Sequence, residues 1–328
     1  MIDKIDNVVT YEAFGAIGDG VADDLPAICE AHAYANAHNL PVKSKPDATY
    51  HLGGRALTAI IATDTDWNTS RFTIDDMDMA KVEDHKAKLF EVQSRLQPVE
   101  LKLDHLARDQ QQTDLRPEVD CHVLVENEKK RLYIRRGLNQ NKGIPQTDCF
   151  ILRRDGTIEG AIDWDYDTIT HLEARPIDET PLIITGGIFT TFANRMEQPV
   201  GYNYWSRHIE ISRSNTEIRD LTHYVVGETA VGHPYHGFVR AYKCANVTLR
   251  NLFVTGHKIY STIGAAGKPV SMGSYDIHAR QVVNFQMFDC RMNHICDRSR
   301  WGVISTDLCK NILLDNCTLS RMDTHMGV

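Results

Sequence analysis

The sequence predicts an all-β solenoid of short parallel strands, on three observations. Four stretches superimpose residue for residue without gaps: NTEIRDLTH from Asn215, NVTLRNLFV from Asn246, NFQMFDCRM from Asn284 and NILLDNCTL from Asn311. Within each, polar and apolar residues alternate with a period of two and break at a polar corner, the pattern of strands meeting at a bend. The blocks lie 31, 38 and 27 residues apart without hairpin signals between them, which suits stacked coils with variable loops better than a β-sandwich.

The blocks also set a register. Three positions after each Asn stands an aliphatic residue (Ile218, Leu249, Met287, Leu314), and five after it an Asp or Asn (Asp220, Asn251, Asp289, Asn316). Six after it stands a small apolar residue (Leu221, Leu252, Cys290, Cys317). A unit this short cannot bury its apolar face alone, so each must stack on the next. Thr180 to Ile188 fits the same template with Ile183, Thr185, Gly186 and Ile188, so solenoid structure is expected from about residue 180.

At the N-terminus, Asp23 or Asp24 is a natural N-cap and Pro26 is tolerated in a first turn. Leu25, Ile28, Ala31, His32 and Ala35 mark one face of a helix ending near Asn39. Leu40-Pro41-Val42 follows, then PDATYHL, read as a short strand around Tyr50. A helix laid over the first coil would hide the open end of the stack.

The run FGAIGDGVADD (14–24), the alanine-rich helix and the PDATY segment together resemble the N-terminal signature of the pectate-lyase-like superfamily. That superfamily includes polygalacturonase- and rhamnogalacturonase-related enzymes and phage tailspikes. The resemblance covers residues 8–52 and, through the repeats, 180–328. It implies a right-handed parallel β-helix with an N-terminal capping helix, and it speaks to fold rather than reaction, because this scaffold hosts hydrolases, lyases, epimerases and pure binders.

The expected organisation is a cap with the first coils over 1–80, an inserted antiparallel β subdomain over 81–148, and the β-helix over 149–328. The insertion rests on LFEVQS (89–94), VELKL (99–103), HVLVEN (122–127) and RLYIRR (131–136), with a hairpin turn at Asn127–Lys130. Nothing after the fourth block closes the stack, and an open end exposes unpaired strand edges. Further rungs beyond Val328, or a partner chain over the end, are therefore expected.

With 42% hydrophobic residues, 328 residues are ample for a core. A net charge of −8 without a basic run argues against a nucleic-acid partner, and no segment reads as a membrane span. The eight cysteines include no CxxC pair. Cys290 and Cys317 share one inward repeat position, which favours stacked, buried thiols over a disulfide. MIDKIDNVV has no features of an export signal. The chain either stays inside its cell or is secreted or periplasmic through a signal outside this sequence.

Counting from each Asn turns the repeat into a map of columns. Offsets 9 to 14 collect Tyr224 and Glu228, His257 and Lys258, then His294, Asp297 and Arg298, then Asp323 and His325. A second column precedes each Asn: His236 and Arg240, then Asp276, His278 and Arg280, then Arg300, Trp301 and Asp307. With rungs about 4.8 Å apart, carboxylates one or two rungs apart stand roughly 5 to 10 Å from each other. That range spans both retaining and inverting glycoside hydrolases, and Asp297 with Asp323 is the best such pair.

The expectation is a carbohydrate-active protein, first a glycoside hydrolase with Asp297, Asp323, His294, His325 and Arg300 as catalytic candidates. Trp301, Arg298, His257, Lys258, His236, Arg240, Asp276, His278 and Arg280 would bind the polysaccharide or oligosaccharide, the indole by stacking on a sugar ring. A lyase acting on uronic acids is the alternative, with His294, Arg298, Arg300 and His325 as base and carboxylate neutraliser. A non-catalytic, tailspike-like glycan binder, trimeric as tailspikes are, is another. The resemblance has a gap here: of the polygalacturonase motifs only Ser305-Thr306-Asp307 approximates NTD, and DD, GHG and RxK have no match. No cofactor is expected, because a Ca²⁺ site collects several carboxylates and each rung offers one or two.

Overall fold

The computed structural model describes residues 7–75, 77, 87–133, 143–192, 207–227, 237–255, 261–263, 268–270, 276–292 and 304–319. In chain order the elements are β1 (Asp19–Asp23), α1 (Leu25–His38), β2 (Val42–Lys43), β3 (Thr49–Leu52), β4 (Ala59–Ile61), β5 (Thr65–Asp75) and β6 (Phe90–Val92). There follow β7 (Cys121–Tyr133), β8 (Ile144–Leu152), β9 (Ile158–Glu159), β10 (His171–Pro176), β11 (Leu182–Phe192), β12 (Ile209–Ile211), β13 (Thr216–Arg219) and β14 (Thr222–Val226). The last are β15 (Val239–Arg250), β16 (Phe253–Val254), β17 (Ser261–Ile263), β18 (Lys268–Val270), β19 (Ile277–Phe288), β20 (Arg291–Met292), β21 (Ile304–Asp307) and β22 (Lys310–Asp315).

Sixteen of these strands form one continuous sheet, and every pairing within it is parallel. The chain winds over three faces, the architecture of a parallel β-helix. Face I stacks β4, β6, β12, the first halves of β15 and β19, and β21. Face II stacks β2, the starts of β5 and β11, β13, the second halves of β15 and β19, and β22. Face III stacks β1, β3, the ends of β5 and β11, β14, β16 and β20.

The repeated asparagines form the corner between faces I and II. Asn215, Asn246, Asn284 and Asn311 all have positive φ (52°, 56°, 62° and 55°), a conformation Asn tolerates better than most residues. Each amide donates to the carbonyl oxygen of the one below: Asn246 to Asn215 at 2.7 Å, Asn284 to Asn246 at 2.8 Å, and Asn311 to Asn284 at 2.9 Å. Asp220, Asn251, Asp289 and Asn316, also at positive φ, form the corner between faces II and III, with Asn251 donating to Asp220 and Asn316 to Asp289. Between the corners Ile218, Leu249 and Met287 stack fully buried.

The segment from 180 belongs to the stack one residue out of the expected register. Leu182 pairs with Thr216 and Ile184 with Ile218, so Ile184 rather than Ile183 faces the core. Gly186 (φ 81°) takes the corner that Asp220 takes in the next rung. A one-residue shift exchanges the faces of a strand. The motif aligns equally well either way because Ile183 and Ile184 are both isoleucine.

The helix is as expected. α1 starts after Asp24, ends at Asn39 (φ 56°), and buries Leu25, Ile28, Ala31, His32 and Ala35. Asp24 caps no helix amide; its carboxylate accepts from the backbone N–H of Ile17 and Gly18 and so fixes the preceding glycine-rich loop. Beneath the helix, Trp67 Nε1 donates to the Tyr11 hydroxyl (2.8 Å), which is hydrogen-bonded to His32 Nε2 (3.0 Å). Phe72 and Phe189 stack at 4.5 Å in the next layers.

The insertion differs in extent. Phe90–Val92 is a rung of face I, residues 99–103 form no strand, and β7 continues through Asn127–Lys130, where its pairing with β8 bulges, instead of ending in a hairpin turn. The antiparallel sheet has the order β10-β7-β8-β9, so the insertion reaches Pro176 and the β-helix resumes at β11, not at 149. Alternation alone marks Phe90–Val92 as a strand but not which sheet it joins. The insertion leaves face I after β6, where later rungs turn at an Asn, and packs on that corner. Leu124, Cys149, Ile151 and Ile177 bury against Ala245 and Val283. Lys310 pairs with Asp148 and with Asp163 (3.2 Å), while His122 Nε2 bonds the Gln281 carbonyl oxygen (3.0 Å).

The described cysteines are all free thiols, with Cys290 buried. Among the described residues no helix is long and apolar enough to cross a membrane.

Candidate functional site

The outer side of face I carries ionisable groups where an outward strand position would ordinarily be solvated. Parallel register sets Glu91, Glu210, Arg240 and His278 directly beside one another on four successive rungs. Two residues along, Tyr242, Arg280 and Asp307 form a second row. Ile209 and Ile211 point into the core, so alternation turns Glu210 and His208 outward. Both are nonetheless buried, at 3% and 0% exposure.

Lys88 bridges Glu91 (3.0 Å) and Glu210. On its other side Glu210 accepts from Arg240 (2.7 Å), and the His208 ring lies 3.6 Å away. Burial alone would raise the Glu210 pKa, but His208, Lys88 and Arg240 outweigh it and bring the carboxyl down to about 2. Burial holds His208 below the usual imidazole range. Asp307 goes the other way: burial raises it, and Arg280 at 3.2 Å only partly compensates. The face therefore holds one firmly ionised carboxylate and one whose proton is held more tightly than usual, three rungs apart.

The insertion walls this face on the side of the asparagine corner. Between them lies a cleft of about 400 Å³, lined on the β-helix by Lys88, Glu91, Glu210, Ser212 and Tyr242, and opposite by Glu173, Arg175 and Pro176. Arg240 sits over the Tyr242 ring at 4.5 Å. Glu173 accepts from Arg175 (2.6 Å) and Lys243 (2.7 Å); against the upward pull of burial, these two cations lower its pKa.

Of the residues singled out from sequence, Arg240, His278 and Arg280 come together on this face. Asp276 lies at its end, buried, with Oδ1 4.0 Å from His223 Nδ1; His223 stacks on Phe238 and bonds Thr191. Tyr224 is exposed on face III beside Phe253. Glu228, His236, His257, Lys258, His294, Asp297, Arg298, Arg300, Trp301, Asp323 and His325 lie outside the described residues. The segments 193–206, 228–236, 256–275 and 293–303 each join a strand of face III to one of face I, so the described ends of these loops stack at a single corner.

Glu210, Glu91, Lys88 and Glu173 are absent from the candidates that the repeat offsets select. For Glu210 a signal exists: His208-Ile-Glu-Ile places a carboxylate between two isoleucines of a strand. Lys88 and Glu91 are hidden because alternation places their strand in the insertion, and Glu173 because only the tertiary fold brings it to face I. Among the described residues no three His, Cys, Asp or Glu side chains converge as a metal site.

No family model matches the chain, and no curated protein matches its sequence. Among solved structures it is similar to a candidate glycosyl hydrolase from Parabacteroides merdae, with a TM-score of 0.46 and 10% identity over 94% of each chain. It is similar to the surface adhesin PfbA of Streptococcus pneumoniae (TM-score 0.42, 12% identity, 94% of this chain and 62% of that one). It is also similar to the tailspike gp49 of Pseudomonas phage LKA1 (TM-score 0.42, 14% identity, 94% and 63%). The chain thus spans less than two thirds of the adhesin and of the tailspike, and likenesses at this level assign no activity.

Proposed function

We propose that this parallel β-helix protein binds a polysaccharide across the outer side of face I and hydrolyses its glycosidic bonds with carboxylates from neighbouring rungs. The observation that carries the reading is the row of buried and half-buried ionisable groups, Glu91, Glu210, Arg240 and His278, set side by side by parallel register at the edge of a cleft. Perturbed, clustered titratable groups beside a concavity are what acid–base chemistry needs.

In this reading Glu210, ionised at any working pH, acts as base or nucleophile and stabilises positive charge developing on the sugar. A second carboxyl group, protonated, gives its proton to the leaving oxygen. Glu91, on the next rung about 4.8 Å away along the sheet, is ion-paired with Lys88 and so is not that proton donor. Asp297 and Asp323, which lie outside the described residues, remain the candidates selected from the sequence. Arg240, Arg280 and His278 would hold the substrate, and they would also serve the lyase alternative by neutralising a uronate.

A glycan binder without turnover is the second reading. It is favoured by the closed pairing of Glu210 with Lys88 and Arg240, which holds both carboxylate oxygens against cations and weakens them as nucleophiles. Incubation of the full chain with a polysaccharide panel, read for new reducing ends and for unsaturated uronate absorbance, separates the three. Reducing ends without absorbance support hydrolysis, absorbance supports the lyase, and retention on a glycan without either supports the binder.

A further inference from the structure

We infer that the cleft between the β-helix and the inserted sheet is a subsite for a neutral sugar unit. This deepens the carbohydrate reading and rests on it. The cleft measures about 400 Å³, inside the range of small-ligand sites and enough for one or two pyranose rings.

Each of its three carboxylates is ion-paired in place. Glu91 pairs with Lys88, Glu210 with Lys88 and Arg240, and Glu173 with Arg175 and Lys243. A uronate or sulfated sugar entering here would have to displace a carboxylate from its cation, leaving a charge uncompensated, which is costly where solvent is limited. A polyol makes no such demand. Ion-paired carboxylates keep lone pairs for hydroxyl donors, and Ser94, Gln93 and Tyr242 add polar groups to the same walls.

The cleft also carries apolar groups: Leu96, 45% exposed, lines it with Pro98 and Pro176. Polar and apolar groups lining one cleft fit the two surfaces of a pyranose, its hydroxyl edge and its C–H face. This fit explains a large aliphatic side chain held at the surface beside three ion-paired carboxylates. The subsite lies on the asparagine-corner side of face I, away from the ends of the loops that join faces III and I. It shares Glu91 and Glu210 with the proposed catalytic row, so it would set which sugar is accepted directly beside the reacting bond.

The test titrates the full-length chain by calorimetry and saturation-transfer NMR with xylotriose, cellotriose and mannotriose, against trigalacturonic acid. Binding of a neutral trisaccharide, weakened at least tenfold by Leu96→Glu, is the expected result; Leu96 is exposed, so the variant leaves the core intact. Glu173→Gln leaves Arg175 and Lys243 short of a carboxylate and should raise binding of trigalacturonic acid. Wild-type preference for trigalacturonic acid, or neutral binding indifferent to Leu96→Glu, overturns the subsite while leaving a glycan-binding protein. Failure of every saccharide to bind overturns both.

Discussion

Glu91 and Glu210 stand directly opposite each other on adjacent rungs and share one cation, Lys88, whose ammonium reaches both carboxylates. The pairing follows from parallel register, because equivalent positions of successive coils meet at the strand spacing whatever their charge. Two acidic side chains so placed repel unless a cation lies between them, and Lys88, on the same rung as Glu91, supplies it.

Replacing Glu210 by Gln tests its proposed role. Hydrolysis of whichever polysaccharide the panel identifies should fall by about 10²–10⁴-fold with the KM changed little, while binding of the product persists. A variant with full kcat would remove Glu210 from the mechanism.

Stability should fall in acid, in two stages with the same sign. Burial holds the pKa of His32 down at about 3 and that of His122 at about 4, both below the ordinary value of 6.5. The unfolded chain therefore takes up protons first as pH drops below about 6.5, and stability declines from there. Glu210, at about 2 against 4.5 when unfolded, adds stability above pH 4.5 that is lost as pH falls toward 2. Melting temperature followed from pH 8 to 3 should decline in both windows. His122→Gln, which keeps a donor for the Gln281 carbonyl, should flatten the first by about 3 kcal/mol, and an unchanged slope would count against His122 as a contributor.

The asparagine ladder should be worth more than its polar surface suggests. Asn246→Ala removes two ladder hydrogen bonds, one donated to Asn215 and one accepted from Asn284, and places an alanine at φ 56°. A loss of about 2–4 kcal/mol in urea unfolding is expected. Asn246→Gly, free of the backbone strain, should lose less, and equal losses would mean that the side-chain ladder alone matters.

Gly186→Ala should be as damaging as a core mutation. A Cβ there would overlap the Asn68 carbonyl oxygen and stand 2.9 Å from its amide nitrogen, and φ is already +81°. Overpacking against backbone together with a left-handed residue predicts at least about 2 kcal/mol of destabilisation, measurable by thermal melting. A neutral substitution would show that the corner relaxes more easily than its geometry implies.

Much of the fold is legible in the residues alone. The Asn blocks encode it because the same two corners must recur on every coil, and Asn246, Asn284 and Asn311 can satisfy one another only if the coils stack in register. The buried face of α1 is legible for the same reason, since helical periodicity repeats locally. Ile184 and Gly186 fall one residue from their expected places because two adjacent isoleucines and two adjacent glycines offer no way to choose between registers. The insertion is misbounded because Phe90–Val92 alternates like any solvent-facing strand.

The solenoid, its cap and its corners are thus written in the chain itself, as products of local periodicity and of residues tolerant of positive φ. Tertiary packing alone sets Glu91, Glu210, Arg240 and His278 in one outer row and closes Glu173 and Arg175 over a cleft against it. These meetings join residues as far apart as the 119 positions between Glu91 and Glu210. They depend on how coils stack and where an inserted sheet docks, and no local pattern records either.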